Sequence, residues 1–203
     1  MRAVHYFLRS RRAGSTTAAL AAVAALGWFV VDGPLGSPQN VETRLVWASL
    51  FLPLLAAMII SAGTHAPFGE IEHTASKSLA ALRLVHVALL FLWSLATLEF
   101  LTLGRTLPDA WLLPARNLAG FTGIALLTAR VSGAHLSWIV PMIFTVAVML
   151  IGAPGSADSA PWAWPVQPPT DAVALASAAT LLAAGLTTAV LGGPREARGE
   201  APA

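Results

Sequence analysis

The chain has 203 residues, of which 56% are hydrophobic and 11% charged, with no cysteine and a net charge of +2; its mean hydropathy is +0.70. A soluble domain of this length could not bury so much apolar surface in one core. The lack of cysteine excludes disulfides, thiolate metal sites and iron–sulfur clusters. Basic residues flank apolar runs rather than clustering on one face, so the pattern also argues against nucleic-acid binding.

Six apolar runs predict an all-α integral membrane protein, because a helix needs about 20 residues to cross a hydrocarbon core of about 30 Å. The fourth run is the weakest, since Arg116 and Arg130 bracket it. We expect both guanidinium groups to extend outward to the lipid headgroups. The runs form one predicted transmembrane domain over 13–193, with spans at about 13–31, 45–62, 79–103, 117–132, 136–152 and 171–191.

The two ends of the chain lie outside these runs. Val4, Phe7 and Leu8 recur at helical spacing, so residues 1–12 predict a short cytoplasmic helix lying in the membrane interface. A disordered basic leader is the alternative. Residues 194–203 are polar and rich in glycine, proline and alanine, which is typical of a disordered tail.

The distribution of lysine and arginine predicts the orientation, because cytoplasmic segments carry the excess of both. With the N-terminus inside, three basic residues fall on the outer side, namely Arg44, Arg105 and Arg116. The cytoplasmic side then carries nine: Arg2, Arg9, Arg11, Arg12, Lys77, Arg83, Arg130, Arg195 and Arg198. We therefore expect both termini to be cytoplasmic, as an even number of spans requires.

The connection between the second and third spans, residues 63–78, is the one concentrated polar surface expected inside the cell. Pro67 and Gly69 end the preceding helix, and a short helix carrying Glu70 and Glu72 would then project two carboxylates from the membrane. Such a surface suits docking to a basic groove on a partner. A solvated charged turn is the alternative.

Several polar residues fall within the predicted spans, where each needs a partner or water. Glu99 is expected near the outer interface, either paired with Arg105 or Arg116 or lining the mouth of a substrate path. His86 is either a hydrogen-bonded residue between helices or a substrate ligand, and Asn117 could bond across helices. Small residues predict close helix packing, namely Gly27, Ala119, Gly120, Gly123 and Gly185.

The predicted outer connections are compact, with Trp47 and Trp111 placed where aromatic belts lie. The longest, residues 153–170, has too many prolines for a long continuous helix. We expect it to form kinked structure on the outer surface, anchored by Trp162 and Trp164.

Recognisable catalytic patterns are missing from the chain. Ser76 precedes Lys77 where a P-loop requires glycine, and no zinc-binding His-Glu-x-x-His helix or Gly-x-Ser-x-Gly elbow occurs. No pair of carboxylates falls within the spans to perform acid–base chemistry. We therefore expect neither an enzyme nor a metal site.

The segment after the second span resembles the acidic, threonine-containing signature that follows the second span in the ABC-2 family of ABC transporter membrane subunits, through Glu70, Glu72 and Thr74. The layout of an interfacial helix, six spans and an outer insertion between spans five and six also resembles that family. Small actinobacterial members are similar at residues 116–121 (RNLAGF) and 137–141 (SWIVP).

The resemblance implies the permease subunit of an exporter in the cell's inner membrane, carrying a hydrophobic or amphipathic substrate. Separate cytoplasmic ATPase subunits would hold ATP and magnesium, so this chain would bind no cofactor itself. A second permease subunit, identical or similar, would complete the pathway within the membrane lipid. The implied coupling residues are Gly69, Glu70, Glu72, His73, Thr74, Lys77 and Arg83. A non-transporting accessory, immunity or assembly protein is the alternative function.

Overall fold

The computed structural model describes residues 13–32, 41–64, 78–102, 109, 111–151 and 161–192, and within these ranges the regular structure is entirely helical. Six α-helices follow in chain order: α1 (Ala13–Asp32), α2 (Val41–Ala62), α3 (Ser78–Phe100), α4 (Leu112–Ser132), α5 (Ile139–Ile151) and α6 (Ala172–Gly192). Two 3₁₀ helices add Ala134–Leu136 and Pro161–Val166.

Within the described ranges, six helical segments are long and apolar enough to cross a membrane, in agreement with the six predicted spans. The fifth of these combines the 3₁₀ helix Ala134–Leu136 with α5. The bounds differ from the expected ones chiefly in α4, which begins at Leu112 rather than at residue 117. Arg116 therefore lies inside the helix, not at its end. The interfacial helix expected over 1–12 and the tail 194–203 lie outside the described residues.

Helix α4 is the central helix of the bundle. It packs against α2, α3, α5 and α6, and 67% of its span is buried inside the protein, the largest share of the six. Leu118 belongs to a hydrophobic cluster shared with α1, α2 and α3, whereas Phe121 belongs to a second cluster shared with α2 and α6. The same helix is the least apolar of the six. Because protein rather than lipid surrounds it, α4 needs less hydropathy than its neighbours.

Contacts between helix ends define the two sides of the bundle. On one side, Arg44 donates a hydrogen bond from Nη1 to the carbonyl of Val30, at 3.3 Å. We call this the tryptophan side. The segment 161–171, which contains Trp162 and Trp164, packs there against the beginnings of α4 and α6. On the opposite side, Thr16 of α1 lies beside Gly63 after α2, where a Cβ atom on the glycine would be 3.1 Å from Thr16 Cγ2. We call this the serine side, after a buried Ser61–Ser137 hydrogen bond.

Close packing of α4 against α6 depends on glycine, as the sequence predicted. A Cβ atom on Gly123 would lie 2.3 Å from the backbone carbon of Leu181, and one on Gly185 would lie 2.7 Å from the carbonyl oxygen of Gly123. Such distances require the two backbones to separate. A different requirement applies to Gly133, which ends α4 with a φ of 88° that side chains rarely adopt.

Candidate functional site

The polar centre of the described bundle is built around a proline within α2. Pro53 has no N–H group, so the carbonyl of Ser49, four residues earlier, loses its helical donor. Asn117 of α4 replaces that donor: its Nδ2 lies 2.9 Å from the Ser49 oxygen. An unsatisfied backbone carbonyl is costly at membrane depth. The asparagine thus completes the hydrogen bonding of a neighbouring helix across 68 residues of sequence.

Arg116 binds the segment 161–171 through backbone carbonyl groups. Its Nη1 donates to Pro168 at 2.7 Å, and its Nη2 donates to Gln167 at 2.9 Å and to Pro165 at 3.3 Å. The planar guanidinium group presents its donors as a fixed fork, which suits several carbonyls converging from one turn. Only 3% of the residue is exposed. The expectation that Arg116 extends outward to lipid headgroups is therefore wrong, because these carbonyls solvate the cation internally.

The two neighbouring side chains also act on each other. Arg116 Nε donates to Asn117 Oδ1 at 3.4 Å, which directs the Asn117 amide nitrogen towards Ser49 and towards the Pro165 carbonyl at 3.1 Å. Asp171 supplies a favourable charge interaction with Arg116. The same carboxylate accepts the backbone N–H of Ala174 at 2.7 Å and so caps the start of α6. The cluster ties together α2, α4, α6 and the segment 161–171.

Trp164 fills the space beneath this cluster. It is 2% exposed, and its ring lies 5.3 Å from that of Phe121 and 5.9 Å from that of Phe144, measured between centroids. A Cβ atom on Gly120 would lie 2.2 Å from the indole, so only glycine leaves room for it. Trp162 is 42% exposed and fits the expected surface anchor. Trp164 does not, because its ring packs into the protein rather than against headgroups.

The segment around these tryptophans is short and bent, as its prolines predicted. The 3₁₀ helix Pro161–Val166 has a non-helical residue at Ala163, with φ −88° and ψ 24°. Three carbonyls after this bend then converge on Arg116, at Pro165, Gln167 and Pro168. The bend therefore forms the carbonyl binding site for the Arg116 guanidinium group.

Glu99 lies near the end of α3 on the tryptophan side and is half-buried. Its Oε2 accepts a hydrogen bond from Thr102 Oγ1 at 3.4 Å, and its Oε1 has no hydrogen-bond partner in the described part of the chain. The expected Glu99–Arg116 pair is wrong, since the Arg116 donors bind backbone carbonyls and Asn117 instead. Arg105, the other candidate partner, lies outside the described residues.

Arg83 and His86 lie one turn apart in the first half of α3. Arg83 is half-buried, whereas His86 is 4% exposed and faces the bundle with Val87 and Leu90. The remaining predicted coupling residues lie outside the described residues: Gly69, Glu70, Glu72, His73, Thr74 and Lys77. Arg116 and Asn117 thus form one polar cluster on α4, whereas Arg83, His86 and Glu99 lie on α3.

Sequence reasoning missed the contact that organises the serine side. Ser61 near the end of α2 and Ser137 between α4 and α5 form a buried hydrogen bond, with 2.7 Å between their hydroxyl oxygens. Serine is too common near helix ends for either residue to stand out in the sequence. The Ser49–Asn117 bond could have been predicted from two features of the sequence. Pro53 leaves a carbonyl of its span without a donor, and Asn117 is an amide donor in another span.

The arrangement on the tryptophan side joins side-chain donors to backbone acceptors. Its donors are an amide and a guanidinium group, and their acceptors are mainly backbone carbonyls. Across the described ranges, no group of three or more histidine, aspartate or glutamate side chains could hold a metal ion. Comparison of the chain with protein-family profiles, curated proteins and solved structures gives no match.

Proposed function

We propose that this chain is the membrane-spanning permease subunit of an ABC-type exporter in the cell's inner membrane, with both termini cytoplasmic. Two such subunits, identical or similar, would form the pathway for a hydrophobic or amphipathic substrate. Separate cytoplasmic ATPase subunits would bind ATP and magnesium. Glu70 and Glu72, with the rest of the predicted coupling residues, would contact the ATPase.

The observation that carries the proposal is the position of the connection between α2 and α3 in the chain. Helix α2 ends at Ala62 on the serine side, and Glu70 and Glu72 follow in the sequence before α3 begins at Ser78. The predicted orientation makes this side cytoplasmic. Glu70, Glu72 and Thr74 thus fall in the sequence between spans two and three, where the ABC-2 resemblance requires the acidic signature.

The end of α2 lies beside two neighbouring elements. A Cβ atom on Gly63 would lie 3.1 Å from Thr16 Cγ2 of α1, and Ser61 forms a hydrogen bond with Ser137 between α4 and α5. Thr64 closes the helix end by donating from Oγ1 to the Ser61 carbonyl at 2.6 Å. In the proposed mechanism, a displacement of the connection 65–77 would pass to the neighbouring elements through these contacts.

Helix α2 also reaches the polar cluster on the opposite side. Its 22 residues correspond to about 33 Å at 1.5 Å per residue. The Ser49–Asn117 bond then connects it to α4, and Asn117 further connects to the Pro165 carbonyl. This series of contacts supports the proposal, because it links the connection 65–77 physically to the segment 161–171.

The decisive experiment reverses both charges, Glu70→Arg with Glu72→Arg, and measures capture of a P-loop ATPase. Loss of carboxylate partners in a partly buried interface costs about 2–5 kcal/mol. Affinity should therefore fall by about 30-fold to several thousand-fold. The tagged protein is purified from its native membranes in mild detergent, and associated ATPases are identified by mass spectrometry together with substrate-stimulated ATP hydrolysis.

The control is Asp109→Asn, which removes an exposed negative charge on the tryptophan side without adding a positive charge there. This variant should retain the ATPase. The double variant should still insert in the membrane, since added arginine reinforces a cytoplasmic location. Capture at the unmodified level by the double variant would contradict the assignment of the coupling residues. An unmodified protein that captures no ATPase would instead indicate the accessory function.

A further inference from the structure

A cleft opens towards the bilayer between α5 and α6. Both helices pack on α4, whose Ile124 forms the floor, while the 3₁₀ helix Pro161–Val166 covers the end nearest the tryptophan side. The cleft has a volume of about 700 Å³. Its lining residues are Ile124, Phe144, Trp162, Trp164, Ala172, Val173, Ala176, Ser177, Thr180 and Leu181. Aromatic side chains of α5 and of the 3₁₀ helix thus lie opposite the small side chains of α6.

The lining offers an occupant almost no hydrogen bonding. Ser177 Oγ donates to the Val173 carbonyl and Thr180 Oγ1 to the Ala176 carbonyl, each at 2.8 Å, so both hydroxyl protons are used within α6. The remaining walls are aliphatic and aromatic. A polar ligand would recover little of its lost hydration here, whereas hydrocarbon has no hydrogen bonds to lose.

The depth of the cleft matches one leaflet of a bilayer. From Ala172 to Leu181 the helix rises nine residues, about 14 Å at 1.5 Å per residue. Half of a hydrocarbon core of about 30 Å is about 15 Å. Only 17% of the α6 span is buried in the protein, so the open side of the cleft lies on the apolar outer surface of the bundle.

The volume distinguishes a lipid tail from a helix of another protein. A helix about 11 Å across would fill 700 Å³ with only about 7 Å of its length, fewer than two turns. Small-molecule pockets, by contrast, range from about 300 to 1,000 Å³.

We infer that this cleft binds an acyl chain of a phospholipid from the surrounding leaflet. The chain lies between Phe144 and the small residues of α6, and contacts the edge of Trp164 beneath the polar cluster. The phospholipid thereby completes the packing around the segment 161–171. This inference does not depend on transport, and its test requires no ATPase.

The test uses bromine on lipid chains, which quenches the fluorescence of a nearby indole. Trp164 is retained, and the other six tryptophans are replaced by phenylalanine: Trp28, Trp47, Trp93, Trp111, Trp138 and Trp162. Single copies are placed in nanodiscs of phosphatidylcholine with or without mid-chain bromine. A chain in the cleft should clearly reduce Trp164 emission in the brominated discs, since atoms of the two groups then lie within about 4 Å.

Two filled variants test whether the quenching arises in the cleft. Ala176→Phe and, separately, Val173→Phe place a ring in it, and each should restore most of the emission. Ala179→Phe makes the same change as the first variant on an exposed, non-lining position of α6, and should leave the quenching intact. Using two filled positions protects the result against a folding defect in either one.

Three results would overturn the inference. Trp164 could prove insensitive to bromine, or both filled variants could remain quenched as strongly as Ala179→Phe. Alternatively, quenching seen with one copy per disc could disappear with two copies, which would assign the cleft to contact between copies of the chain.

Discussion

The bond between Asn117 and the carbonyl of Ser49 leads to a quantitative prediction, because Pro53 is the reason that this carbonyl needs a donor. Asn117→Leu keeps the branching of the side chain and removes its polar atoms. The Pro165 carbonyl would retain Arg116 Nη2 at 3.3 Å, so the Ser49 carbonyl is the acceptor left without a partner. Leaving one such group unsatisfied costs about 1–3 kcal/mol.

The same substitution should cost less when residue 53 can donate. Pro53→Ala supplies a backbone N–H group four residues after Ser49, the position from which an α-helix satisfies that carbonyl. We expect the cost of Asn117→Leu to fall by about 1 kcal/mol or more in the Pro53→Ala background, which is a measurable interaction energy. The unmodified protein, both single variants and the double variant form the required cycle.

Equilibrium unfolding in mixed detergent micelles, titrated with a denaturing detergent and followed by circular dichroism, provides the free energies. An equal cost of Asn117→Leu in the two backgrounds, within about 0.5 kcal/mol, would refute the reasoning. It would show that Asn117 stabilises the protein through its other contacts rather than by replacing the missing donor of Pro53.

Two further substitutions test the packing around the central helix by the same unfolding assay. Arg116→Met should lower the free energy of unfolding by about 1–3 kcal/mol, because it removes the donor to the buried Gln167 carbonyl. Arg130→Met, at an exposed site on the same helix, should change it by no more than about 0.5 kcal/mol. Gly123→Ala should cost about 1–3 kcal/mol by separating α4 from α6, whereas Gly14→Ala, with open space around it, should be neutral or stabilising. Equal effects within either pair would contradict the packing described here.

The number of spans could be predicted from the sequence because crossing a bilayer is a local requirement. Each helix must supply enough consecutive apolar residues on its own, and all six runs do. The need for small residues between helices was also readable at Gly123 and Gly185, where the backbones of α4 and α6 meet. Neither inference requires knowledge of which helices are neighbours.

The roles of Arg116, Asn117 and Trp164 depended on tertiary structure. In the sequence, Arg116 marks a weak span boundary and Trp164 an interface anchor; in the fold, both lie inside the bundle, at 3% and 2% exposure. Asn117 reaches a carbonyl 68 residues away. Hydropathy reports the preference of a segment for lipid, but it does not specify which helix lies at the centre. That choice follows from the helix faces that pack together, and it decides whether a polar side chain meets lipid, water or another backbone.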